Sequence, residues 1–200
     1  MSFQKSIIYF TVQSNLLVFV FYFILVFLIL IKKIKKNNLY YILKSIITMA
    51  ITFTMLGYFL LFLKHGTAQV YIGHELISVF LHVFTPILVI LDYFIFGKKG
   101  QLKKRYAFVW SMLLVLYIIF DIIFVNLGGI YANGKTYPYV FMDIDTYGKL
   151  GVKINCAIIY VVCILLGILI QQMDRRLYNK NESRGKEVWM KNIKIFTIKK

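Results

Sequence analysis

A threonine and a histidine placed in apolar surroundings can form a nucleophile and its base. Thr11 stands in FTVQSNLLV, Phe10 to Val18, and His82 stands in LHVFTP, Leu81 to Pro86. A threonine hydroxyl attacks an acyl carbon only when a neighbour takes its proton, and neutral imidazole is the usual acceptor. Gln13, Ser14 and Asn15 follow the threonine and are able to donate hydrogen bonds to a developing oxyanion. A third group ordinarily orients the base. Glu75 is two helical turns from His82, roughly 10 Å, so Asp121 from a different segment is the better placed orienter.

These residues lie in segments that read as membrane helices. The chain has 200 residues, of which 60% are apolar and 18% aromatic, against ~45–50% apolar in soluble domains. Runs near the ~20 apolar residues needed to cross a bilayer occur at about 7–31, 40–63, 71–96, 106–127 and 152–172. The expected architecture is an all-α integral membrane bundle of about five transmembrane helices over residues 1–173, followed by a basic, solvated tail at 174–200.

Charge sets the expected orientation. The formal net charge is +16, yet 18 of the 24 lysines and arginines fall after the first span, between the third and fourth, or beyond Asp174. That clustering predicts a cytoplasmic location for those segments and for the C-terminus, with the N-terminus outside. It also argues for membrane lipid and against nucleic acid as the partner. The first apolar run is too long for a cleaved signal, and its positive charges follow it.

Helical periodicity gathers polar residues into stripes. Glu75, Ser78, His82 and Thr85 share one face of the third span, with Tyr71 and His74 at its edge and Asp92 further along. Thr11, Ser14 or Asn15, and Tyr22 form a stripe on the first, and Ser45, Thr48 and Thr52 one on the second. Ionisable residues within spans generally face the bundle interior and mark functional sites. Ser45, Thr48 and Thr52 read more simply as hydrogen-bonding glue, and Asp92 as the partner of nearby lysines. Pro86 cannot donate to the His82 carbonyl, so a kink or a freed carbonyl is expected beside the histidine. On the face of it, Thr11 and His82 differ in depth, ~6 Å against ~15 Å below the boundary.

Cys156 and Cys163, seven residues apart in one helix, are too distant for a mutual disulfide. No Walker loop, CxxC pair or dinucleotide fingerprint occurs, so neither a metal nor an organic cofactor is expected.

FTVQSNLLV at the head of a span, LHVFTPILVILDYFIF in a later one and YPYVFMD in the long loop together resemble the bacterial "Pr-six-Pr" membrane proteins. These are related to the androgen-induced and androgen-dependent membrane proteins of animals. The likeness covers most of residues 7–172. It implies an intramembrane hydrolase of fatty-acid esters, with Thr11 and His82 matching the family's threonine and histidine, in a bacterial cytoplasmic membrane. Tyr137, Pro138, Tyr139 and Asp143 match the loop motif, expected to shape the outer mouth. The family usually has six spans, one of them ahead of the threonine motif; here that helix is expected to be either absent or lost by truncation, and in a non-catalytic protein a homo-oligomer or partner subunit would supply it. The rival readings are a non-catalytic protein that binds lipid or stabilises a partner, and a small transporter using Glu75, His82, Asp92 and Asp121.

Overall fold

The computed structural model describes residues 6–35, 37–65, 75–131 and 134–198, and the side chains among them except those of 61–65, 75 and 184–198. Helix α1 is Phe10–Leu30 and α2 is Asn38–His65. The third span is built of α3 (Glu75–Val79), a π-helical turn (Phe80–Phe84) and α4 (Thr85–Phe96). Helix α5 is Tyr106–Asn126, and α6 runs Ile144–Ile198 after a short 3-10 turn at Val140–Met142. No strand occurs among the described residues.

Five helices are long and apolar enough to cross a membrane, and the protein is an all-α bundle of membrane-spanning type. The apolar surface is distributed as lipid requires. Phe19, Phe23, Phe27 and Leu30 of α1 are exposed, as are Leu116 and Ile123 of α5 and Leu165 of α6. In water such faces would be costly; in hydrocarbon they are the expected surface.

Helix α2 is the axis of the bundle. Over half of its span is buried, against about a fifth or less for the other four. Met49, Phe53, Tyr93, Ala107, Trp110 and Cys163 form the main core, drawn from α2, α4, α5 and α6. Gly167 lets α6 close on α5: a methyl there would stand 3.1 Å from the Ala107 backbone. Small residues at such crossings allow the backbone approach on which membrane helices depend for packing.

Thr48 and Thr52 bond back to carbonyls of their own helix, at 2.8 Å to Lys44 and 2.6 Å to Thr48, rather than tying helices together. Ser45 also bonds back, to Ile42, but its oxygen accepts the Trp110 indole N–H at 3.3 Å and so joins α2 to α5. Helix α6 continues past 173, so the sequence-based division between spans and tail falls inside a continuous helix. Asp174, read from sequence as the start of a solvated tail, is completely buried. Its carboxylate accepts from the Tyr93 hydroxyl and from the backbone amides of Gly100 and Leu102, thereby holding the loop between α4 and α5. A carboxylate with three donors is satisfied where an isolated one is not. At its other end α6 bends at Gly148, whose φ of 66° is left-handed.

Candidate functional site: a threonine–histidine pair between the first and third spans

Thr11 Oγ1 lies 3.1 Å from His82 Nε2, both side chains being about 5% exposed or less. The other ring nitrogen fixes the tautomer. Nδ1 is 2.8 Å from the Ser78 carbonyl oxygen, which only accepts, so Nδ1 carries the proton. Nε2 is then the bare acceptor, and the Thr11 hydroxyl donates to it. The Ser78 hydroxyl lies further from Nδ1, at 3.3 Å. The Tyr58 ring stacks on the imidazole at 4.8 Å between centroids and holds its plane. Position and proton placement suit a base facing a nucleophile.

The backbone around His82 explains why the two spans meet here. Ahead of Pro86 the third span widens into the π-turn, and the Thr85 amide bonds to Phe80 five residues back. Leu81 thereby loses its α-helical donor, and its donor in π register would be Pro86, which has no N–H. Asn15 repairs the gap. Its Nδ2 donates to the Leu81 carbonyl at 3.0 Å and, with its second hydrogen, to the Thr11 carbonyl at 2.8 Å. The sequence points to the carbonyl of His82 as the freed one; the structure uses that of Leu81, one residue earlier, because the π-turn shifts the register.

Ser14, which is 1% exposed, donates to the Thr11 carbonyl at 3.0 Å and shares a 2.7 Å contact with Thr54 of α2. Two expectations therefore change. Both amide hydrogens of Asn15 are committed to carbonyls, and the Ser14 hydroxyl is committed likewise, so in this arrangement neither is available to an oxyanion. Both position the first turn of α1 instead. Gln13 lines a cavity of about 240 Å³ between α1, α2 and α5, with Phe10, Ser14, Leu17, Ala50 and Leu116 around it.

Asp121 does not orient the histidine. Its carboxylate accepts from Tyr131 at 2.5 Å, and the Ser78 carbonyl takes the orienting place. An i, i+4 carbonyl on the histidine's own helix needs no second span to deliver it. Glu75 opens α3, but its side chain lies outside the described set, as do Tyr71 and His74 altogether.

The loop between α5 and α6 folds over Thr11. Tyr139 packs edge-on against Tyr9 and tilted against Tyr117, at 6.4 and 6.3 Å, and stacks on Phe141 at 5.6 Å. Its hydroxyl faces the first turn of α1, with Phe10, Thr11 and Tyr117 as neighbours. Pro138 is buried beneath the loop, and the Phe141 carbonyl is held by Asn155 of α6 at 3.0 Å. Residue counting sets Thr11 and His82 at different depths, yet their side chains meet at 3.1 Å, and Thr11 is buried under the tyrosine layer rather than lying at an open edge. Tyr137 reaches Asp143, and Asp143 accepts from the amides of Asp145 and Thr146 and from the Thr146 hydroxyl. Asp143 is thus a cap for α6, seated beside the site rather than in it.

Tyr58, Thr54 and Tyr117 escape the sequence reading. Thr54 and Tyr58 stand four apart on one face of α2, a spacing that carries the signal, whereas the mutual approach of Tyr117 and the loop is a tertiary fact. Among the described residues no three His, Cys, Asp or Glu side chains converge as metal ligands. No protein-family profile, curated protein or solved structure matches the chain.

Proposed function

We propose that this multi-pass membrane protein hydrolyses lipid-like esters by means of Thr11 and His82. The observation that carries this reading is the 3.1 Å Thr11–His82 contact with the histidine's proton held on the opposite nitrogen. In the reaction, the Thr11 oxygen bonds to the acyl carbon while its proton passes to His82 Nε2. The ester C–O bond then breaks, and the same proton goes to the departing alcohol oxygen. Water next attacks the acyl-threonine, again giving a proton to Nε2, and the fatty acid leaves as Thr11 recovers its hydrogen. The imidazolium formed on the way keeps its Nδ1–H on the Ser78 carbonyl.

The resemblance to the Pr-six-Pr proteins selects the same pair, and the lysine-rich ends of α1, α4 and α6 favour a cytoplasmic C-terminus. The exposed apolar shell suits a substrate that approaches from the lipid.

The test is covalent labelling of the detergent-purified full chain with a fluorophosphonate probe. Wild type and Thr11→Ser are expected to label, and Thr11→Ala and His82→Ala to fall to background with their helical content intact. No labelling of a folded wild type would move the weight to the non-catalytic reading. That reading has its own observation in Asn15, whose two bonds tie α1 to the π-turn without any chemistry.

A further inference from the structure

Resting on the hydrolase reading, we infer that Tyr58 is a positioning residue acting through His82: the face of its ring stabilises the positive charge the imidazole takes on when it accepts the Thr11 proton. The need arises from what the base lacks. A histidine that receives a proton in a dry site is ordinarily steadied by a carboxylate. Here the Nδ1–H rests on the Ser78 carbonyl, which is neutral. The described carboxylates of the spans are held elsewhere: Asp121 accepts from Tyr131, Asp92 meets Lys44, and Asp174 collects Tyr93 with two loop amides. An imidazolium formed at His82 therefore needs another source of negative potential.

An aromatic face supplies it. The π-cloud of a phenol ring is negative above its plane, and a cation within about 6 Å of the centroid is attracted, most strongly where water is excluded. Tyr58 is 8% exposed, and its ring centroid lies 4.8 Å from that of the imidazole, with 27° between the planes. At that angle the rings lie face to face rather than edge to face, so the charge spread over an imidazolium meets the negative side of Tyr58. The two hydrogen bonds of the imidazole, to Thr11 and to Ser78, leave through its ring nitrogens and keep this face for Tyr58.

Helix α2 places the ring. Thr54 stands one turn before Tyr58 on the same face, and its hydroxyl meets Ser14, which bonds to the Thr11 carbonyl. One face of the most buried span thus serves both partners: Thr54 holds the turn that bears the nucleophile, and Tyr58 holds the ring that receives the proton. The contribution is differential. While the imidazole is neutral, Tyr58 only packs on it; as the proton moves from Thr11 Oγ1 to Nε2, the same contact becomes a cation–π contact. It therefore lowers the barrier rather than tightening substrate binding. No bond to Tyr58 forms or breaks.

The experiment places phenylalanine and its fluorinated relatives at position 58 of the purified full chain and follows hydrolysis of p-nitrophenyl octanoate. Tyr58→Phe is the reference ring. Successive fluorines drain the negative face while keeping the shape of the ring, so kcat should fall in order through Tyr58→4-fluorophenylalanine and Tyr58→3,4,5-trifluorophenylalanine. In Tyr58→pentafluorophenylalanine it should lie about 30-fold below the reference with KM little changed, the size of a desolvated cation–π contact. Tyr58→cyclohexylalanine keeps the bulk without a π-face and should lose as much. Packing alone would not order the series in this way. Equal kcat across the rings, in variants folded by thermal melt, overturns the role of Tyr58 and leaves the Thr11–His82 pair standing. A series that moves KM alone overturns it too, because the ring would then touch the substrate. A folded wild type with neither turnover nor labelling overturns the hydrolase reading and this role with it. Should the pentafluoro ring not fold, the mono- and trifluoro rings carry the same slope, and a flat slope between them again overturns the role.

Discussion

The two ends of the bundle solve the same problem differently. At the basic end, polar groups in the membrane are balanced by charge. Lys44 of α2 meets Asp92 of α4 at 2.6 Å, Tyr22 of α1 donates to the same carboxylate at 2.7 Å, and Asp174 collects two amides and the Tyr93 hydroxyl. Lys99 adds its ammonium to the Tyr93 carbonyl at 2.6 Å, with burial drawing its pKa below the ordinary value. At the Thr11 end, neutral hydrogen bonds hold the spans together, and Asp121 is met by a phenol rather than a cation. Charge pairing fixes helices in place and leaves nothing to react. Neutral groups at the other end keep an unprotonated imidazole nitrogen against a hydroxyl, which is the arrangement reactivity needs.

The largest effect should separate activity from stability. Thr11→Ala and His82→Ala should reduce hydrolysis by a factor of 10³ or more, on the order found when a nucleophile or base is removed, while shifting the thermal midpoint little. At the basic end the pattern reverses. Lys44→Met leaves Asp92 without its cation and should destabilise the fold by about 2–3 kcal/mol, less than for a fully buried pair because Asp92 is 29% exposed. The double variant Lys44→Met/Asp92→Leu should recover most of that loss, since apolar pairs replace buried ion pairs at little cost. Detergent-solubilised melts and ester turnover, measured on the same samples, check both halves. Hydrolysis that survives Thr11→Ala, or that is lost in a folded double variant, would break the contrast.

Asn15→Leu sharpens the contrast from the structural side of the reactive end. It removes two hydrogen bonds and orphans the Leu81 carbonyl, so a loss of about 2 kcal/mol is expected, membrane hydrogen bonds being worth ~0.6–1.7 kcal/mol each. Activity should fall further than stability does, because the π-turn that aims His82 at Thr11 is no longer pinned. Hydrogen exchange at the third span and turnover together read the two consequences.

Much of this was legible from residue types. The apolar runs specify the five spans because lipid allows few alternatives for a buried backbone. The stripe rule brings Thr11 and His82 to facing surfaces, and Asp92 near lysines does form an ion pair, though with Lys44 of α2 rather than a loop lysine. What sequence could not supply was competition among donors. Asn15 and Ser14 look like oxyanion donors until the orphaned Leu81 carbonyl and Thr54 claim them, and Asp121 looks like the orienter until Tyr131 takes it. A local carbonyl at Ser78 outcompetes a distant carboxylate because α3 already places it four residues from His82.

The smallest effect concerns the cap that seats the tyrosine loop. The Thr146 hydroxyl and the neighbouring amides beside Asp143 hold its carboxyl below the usual carboxylate range. A carboxyl so lowered in the folded state contributes stability that is present above its unfolded pKa and is lost as pH falls through the folded one. As pH falls below the ordinary carboxylate range the start of α6 should therefore loosen, seen as faster pH-corrected hydrogen exchange at the Asp145 and Thr146 amides. Asp143→Asn should flatten that dependence and leave the Lys44–Asp92 end unaffected. Because Asp143 anchors the segment carrying Tyr139 but does not touch Thr11, its loss should lower turnover only a few-fold. A loss as large as that of Thr11→Ala would mean that the loop acts as one rigid unit, with the cap setting how the tyrosine layer closes over the threonine.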